Sequence, residues 1–152
     1  EIPLRLVGSE MCIRDRCYCL GYLWNRGDEV GDATDPNTGR KIEFKATSRF
    51  EGDLSSFGPK CVFDDLVFLR FKLDENLLYI YDLNINSEEF GKYPANKTQT
   101  IQEQKNQGRR PHVSLQTLFV DANNLEPDII FDIRRCKAYN RVSEYYQRLI
   151  GK

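Results

Sequence analysis

Apolar residues fall along this chain in two rhythms. "LVFLRF" (Leu66 to Phe71) and "LLYIYDL" (Leu77 to Leu83) are nearly continuous apolar runs, rich in aromatic and β-branched residues, with "KLDEN" between them. Such runs, bounded by polar turn residues, predict a buried central hairpin. "KIEFKAT" (Lys41 to Thr47) alternates instead. A strand there puts Ile42, Phe44 and Ala46 on one face and Lys41, Glu43, Lys45 and Thr47 on the other. Ahead of it, "DPNTG" sets Pro, Asn and Gly where a turn needs them, so a partner strand is expected around Gly31 to Thr34. "CYCLGYLWNR" (Cys17 to Arg26) reads as the last turns of a helix. Residues 93–111 are polar and rich in Lys, Gln and Asn, which predicts an excursion outside the core. In "HVSLQTLFVDANN", Val113, Leu115, Leu118 and Phe119 have helical spacing and Asn closes the segment. "CKAYNRVSEYYQRLI" reads as a C-terminal amphipathic helix. The sum is an α+β fold with a mixed central sheet of about four or five strands flanked by helices.

The first residues change how length is counted. "LVGSEMCIRD" (Leu6 to Asp15) back-translates codon for codon into a string that resembles a transposon-type sequencing adapter, and the flanking residues extend the match. Residues 1–16 are therefore expected to be an adapter-derived artefact, and 17–152 a single domain whose native N-terminus is missing. The alternative is a short, mildly apolar N-terminal strand.

Residues 1–16 carry equal numbers of acids and bases, so the net charge of −1 is the same without them. A near-neutral chain does not advertise nucleic-acid binding, and any such case must rest on local clusters. No apolar run reaches the length of a membrane span. Cys17, Cys19, Cys61 and Cys136 lack zinc-site spacing and read as reduced thiols of a cytoplasmic protein.

"GDATDPNTGRKIEFKAT" is where chemistry would sit. If Asp32 lies on the strand beside Glu43, two carboxylates converge, and with a main-chain carbonyl and waters they make the oxygen site that Mg²⁺ prefers. A lysine beside that ion orients or deprotonates an attacking water, or stabilises charge growing on phosphorus. The competing reading is a solvated sheet edge with cross-strand ion pairs.

This stretch resembles the catalytic hairpin of the PD-(D/E)XK nucleases, in particular the PvuII-type type II restriction endonucleases. There, a short Asp-Ala-x-Asp segment leads through a Gly-containing turn into Glu-x-Lys. The likeness covers residues 28–90 well and the rest loosely. The arrangement "DPNTGRKIEFKAT...FDDLVFLR...NKTQT...QGRRP" also resembles the small restriction enzymes that cut GCNGC. The resemblance implies that Asp32 and Glu43 bind Mg²⁺, that the Phe44 carbonyl completes the site, and that Lys45 handles the water. Glu29 matches an auxiliary acid for a second ion. Asp35 competes for the first-acid role, but its shorter spacing to Glu43 places it nearer the turn, where convergence is harder. Gly31 stands where the literal signature has Pro.

A second cluster, "NQGRRPHVS", offers Lys105, Arg109, Arg110 and His112. Arginine presents a planar fork to guanine, so this is the candidate reader of a G/C-rich site, against a basic loop that touches only phosphates. Ser55 and Ser56, with Gly58, are candidates for the DNA backbone or minor groove. "RRCKAYNR" reads as a solvated basic face. The expectation is a cytoplasmic, Mg²⁺-dependent restriction endonuclease acting on double-stranded DNA and leaving 5′-phosphates. A homodimer would match a palindromic site, with a cognate DNA methyltransferase encoded nearby. The alternatives are a structure-selective resolvase or repair nuclease of the same fold, and a non-catalytic DNA-binding module.

Overall fold

A computed structural model of the protein describes residues 20–25 and 31–151. Glu29, Cys17 and Cys19 lie outside the described residues, as does the 1–16 segment. Among the described residues the strands are β1 (Leu23–Trp24), β2 (Ala33–Thr34), β3 (Lys41–Thr47), β4 (Ser55–Ser56), β5 (Asp65–Lys72), β6 (Leu77–Asp82), β7 (His112–Val113), β8 (Ile129–Asp132) and β9 (Lys137–Asn140). The α-helices are α1 (Ser87–Gly91), α2 (Ile101–Asn106) and α3 (Glu144–Leu149), and Gln116–Asp121 winds as a π-helical segment.

The two apolar runs become β5 and β6, joined by a 3₁₀ turn over Leu73–Glu75 that closes at Asn76 in the left-handed region (φ 54°). They sit at the centre of a sheet ordered β1-β2-β3-β5-β6-β8-β9. β3 runs parallel to β5, from Ile42 opposite Asp65 to Thr47 opposite Arg70. Every other neighbouring pair is antiparallel, so the sheet is mixed as expected. Its seven strands correct the expectation of four or five. The extra strands are β1, whose two residues fall in the segment read as the end of a helix, β8, which was not expected, and β9, whose residues read as part of a C-terminal helix. That helix is confined to α3, because the chain reverses after Asp132, where Asp132 Oδ1 accepts from Arg135 N–H at 3.0 Å and Cys136 takes φ 51°.

Both faces of the central strands are buried, which is why β5 and β6 read as continuous apolar runs. Ile42, Phe44, Val67, Leu69, Phe71, Leu78, Ile80 and Phe131 form one layer. Leu66, Phe68, Leu77, Tyr79, Tyr81 and Ile130 face the other way, and the described helices pack there through Phe90 of α1, Ile101 of α2 and Tyr146 of α3. Residues 93–111 are thus not wholly outside the core. Thr100 caps α2 by accepting from Glu103 N–H, and Ile101 is fully buried. The segment from His112 opens as a strand before its π-helical turns, and Asn124 (φ 49°) follows them. No described helix is long and apolar enough to cross a membrane.

Candidate active site

Gly31 brings the hairpin close. It has φ +75°, and a Cβ there would lie 2.9 Å from the Ile42 carbonyl oxygen, a separation that real side chains do not tolerate. With glycine in place, Asp32 N–H donates to Ile42 O at 2.8 Å. Ala33 is fully buried in the same apolar layer as Ile42 and Phe44, which turns Asp32 to the opposite face. Its Oδ2 then accepts from Phe44 N–H at 2.8 Å, standing in for the strand partner that the short β2 does not supply. In a strand, a residue's N–H and C=O point to the same edge. Phe44 therefore directs its carbonyl towards the Asp32 side and away from β5.

Glu43 and Lys45 occupy the face that alternation assigns them. Lys45 Nζ lies 3.4 Å from Glu43 Oε1, with the side chains 23% and 15% exposed, and 4.8 Å from the centre of the Phe57 ring. The Glu43 carboxyl is pushed above the usual range, first by burial and then by the negative charge of Asp32; Lys45 and the Cys61 thiol oppose the shift. Two carboxylates thus face one space with a single ammonium against them. Cys61, raised to about 11 chiefly by burial, stays a thiol. Asp35 serves the turn instead: its Oδ1 accepts from Asn37 N–H at 2.9 Å, and its carbonyl accepts from Gly39 N–H at 2.8 Å. Among the described residues no three Asp, Glu, His or Cys side chains group around one point. The oxygen donors at the hairpin are the two carboxylates and the Phe44 carbonyl, a hard donor set suited to Mg²⁺ with waters completing the shell.

The second candidate cluster resolves into a small sheet. β4 pairs with β7, Ser55 opposite Val113 and Ser56 opposite His112. Ser56 and His112 lie on the outer side, whereas Ser55 is buried and donates to Asp53 Oδ2 at 3.3 Å. Arg110 lays its guanidinium against Gly58, where an added Cβ would be 3.2 Å from Nη1. Arg109 is exposed and donates to Gln99 Oε1 at 3.0 Å. Lys105 does not join them: it is 8% exposed and donates to the Cys61 carbonyl at 2.6 Å. Asp53 was not singled out in the sequence, and Cys61 was read only as a reduced thiol with no place at the site. Each is an isolated residue whose partners lie far along the chain, so no local pattern marks it.

The family model for Bsp6I restriction endonuclease matches residues 9–122, three-quarters of the chain. The chain belongs to the Bsp6I restriction endonuclease family. Among curated proteins, the type II restriction enzyme Bsp6I of Bacillus sp. (strain RFL6) is 42% identical over 121 residues, spanning 80% of this chain and 69% of that enzyme. No solved structure matches. The expected enzyme class, a type II site-specific deoxyribonuclease, therefore stands. The hairpin and the β4–β7 sheet both fall inside the span matched by the Bsp6I family model, and β8, β9 and α3 fall beyond it.

Proposed function

We propose that the β2–β3 hairpin is a PD-(D/E)XK catalytic site that hydrolyses double-stranded DNA with Mg²⁺. Asp32 and Glu43 are the carboxylate ligands, the Phe44 carbonyl is the third, and Glu29 is an auxiliary acid. The observation that carries this reading is the Asp32 Oδ2 to Phe44 N–H bond of 2.8 Å, which fixes one carboxylate beside the strand that bears Glu43 and Lys45. When bound, Mg²⁺ supplies Lewis-acid charge for the scissile phosphate. Lys45 orients the attacking water and offsets charge growing on phosphorus. The water oxygen bonds to phosphorus as the bond to the 3′ oxygen breaks. That oxygen takes up a proton, leaving a 5′-phosphate and a 3′-hydroxyl. Arg109, Arg110, His112 and Ser56 contact DNA, at a short G/C-rich palindrome such as GCNGC, and two copies of the chain act as a homodimer. A cognate methyltransferase encoded nearby would protect the host's own sites.

Glu43 and Asp32 repel each other, so a cation between them stabilises the fold. At about tenfold over its Kd, a ligand adds roughly 1.4 kcal/mol, which raises Tm by about 3–5 °C in a chain of this size. Thermal melts with and without Mg²⁺ will show that rise in the wild type and not in Asp32→Asn or Glu43→Gln. The Glu43→Gln variant will also melt higher than the wild type in metal-free buffer near neutral pH, because the glutamate's charged form is disfavoured in the fold. A full Mg²⁺ response in both variants would remove these residues from the ligand set.

A further inference from the structure

The geometry points to Asp53 as the positioning residue that fixes the DNA-contacting β4–β7 ribbon relative to the catalytic strand β3. The inference rests on the reading of that ribbon as the DNA-contacting element.

The ribbon has only two paired positions, and a two-stranded sheet of that size does not hold its own place in water. Asp53 lies two residues before the first residue of β4 and is 3% exposed. Its Oδ1 accepts from Ser114 Oγ at 2.8 Å and from Gln116 N–H at 3.0 Å; its Oδ2 accepts from Leu115 N–H at 2.9 Å and from Ser55 Oγ at 3.3 Å. One carboxylate thus binds the start of β4 to the residues that leave β7. The π-helical segment begins on it, with Leu115 and Gln116 as the amides it satisfies.

The link continues back to the catalytic strand. Gln116, also buried, accepts from Gly52 N–H at 2.9 Å and donates to Glu51. Phe50 O accepts from Arg70 Nε at 3.1 Å, and the Arg70 guanidinium stacks 3.9 Å from the Phe50 ring. Arg70 is on β5, directly opposite Thr47 at the end of β3. The path from β3 to the ribbon therefore runs through strand pairing and hydrogen bonds that are partly buried at Phe50, Gly52 and Glu51 and buried at Asp53. The outward residues Ser56, His112 and Arg110 take their positions from Asp53 without Asp53 touching DNA.

Contacts to base edges carry sequence information, whereas phosphate contacts do not. A ribbon that loosens should therefore lose discrimination before it loses cutting. Asp53→Asn places an NH₂ group against at least one of these donors. Ser114→Ala removes one donor and keeps the backbone ones, so it tests the same link in a chain that still folds. Each enzyme is given a random-sequence duplex library with Mg²⁺ and the cut ends are sequenced. The readout is the rate at the preferred site relative to sites one base pair away. That ratio is measured within one sample and does not depend on the folded fraction. Disrupting hydrogen bonds to a charged group predicts a fall of about tenfold or more for Asp53→Asn, and a smaller one, roughly threefold, for Ser114→Ala. If both variants keep the wild-type ratio, Asp53 holds the fold only and the inference is overturned. If Asp53→Asn does not fold, Ser114→Ala decides. Should the wild type cut nothing, or cut without preference, the proposed function fails and this inference with it.

Discussion

Replacing Lys45 with alanine will lower the rate of DNA cleavage by a factor on the order of 1,000, the usual loss when a proton-transfer or charge-stabilising group is removed. The same variant will keep its thermal response to Mg²⁺ at alkaline pH, because an ammonium is not a ligand and the carboxylates remain. Lys45 lies 3.4 Å from Glu43 and lowers its pKa, so without it the glutamate is harder to ionise. The Mg²⁺ response of the variant should therefore weaken at acidic pH sooner than that of the wild type. Loss of cutting with retained metal response separates Lys45 from Asp32 and Glu43, whose replacement removes both. Equal cleavage by wild type and Lys45→Ala would end the role assigned to this residue.

The second large effect is on stability, at the opposite face of the sheet. Asp65, at the start of β5, is 1% exposed; its Oδ1 accepts from Leu66 N–H at 2.9 Å and from Ile85 N–H at 3.1 Å, while its Oδ2 is buried without a donor. Burial, and next to it the facing carboxyl of Asp82, push its pKa from 3.8 to about 7. A proton on Asp65 supplies the hydrogen bond that two ionised carboxylates lack. Because the folded-state value is raised, the stabilisation is complete below the unfolded value near 4 and is lost as pH rises through about 7. The loss amounts to at most roughly 4 kcal/mol, or on the order of 10 °C in Tm. Asp65→Asn carries a permanent donor in place of that proton. Its Tm will match the wild type near pH 4 and exceed it at pH 8. Parallel Tm-against-pH curves for the two proteins would contradict the account.

The sequence made the hairpin legible because its signals are local. Pro36, Asn37 and Gly39 mark the turn, and alternation in "KIEFKAT" assigns Ile42 and Phe44 to the core and Glu43 and Lys45 to the other face. The structure adds what separates Asp32 from Asp35: Asp32 bonds to the Phe44 amide across the strands, while Asp35 is consumed by its own turn. Other features depend on contacts between distant residues. Ser55 and Ser56 carry no strand signal because a two-residue strand has no period; their partner β7 lies more than fifty positions on. Lys105 reads as part of a basic surface cluster, yet α2 turns it inward against Cys61. Ala138 and Tyr139 belong to β9 because β8 presents an open edge there, a fact of tertiary pairing that helical spacing in "CKAYNRVSEYYQRLI" conceals.

The most direct measurement of the central claim is cleavage of plasmid DNA by the protein with Mg²⁺ or with EDTA, followed by ligation of the products. The account predicts discrete fragments only with Mg²⁺, carrying 5′-phosphates that ligase rejoins without prior kinase treatment. No cleavage with Mg²⁺, or the same fragments in EDTA, would contradict it.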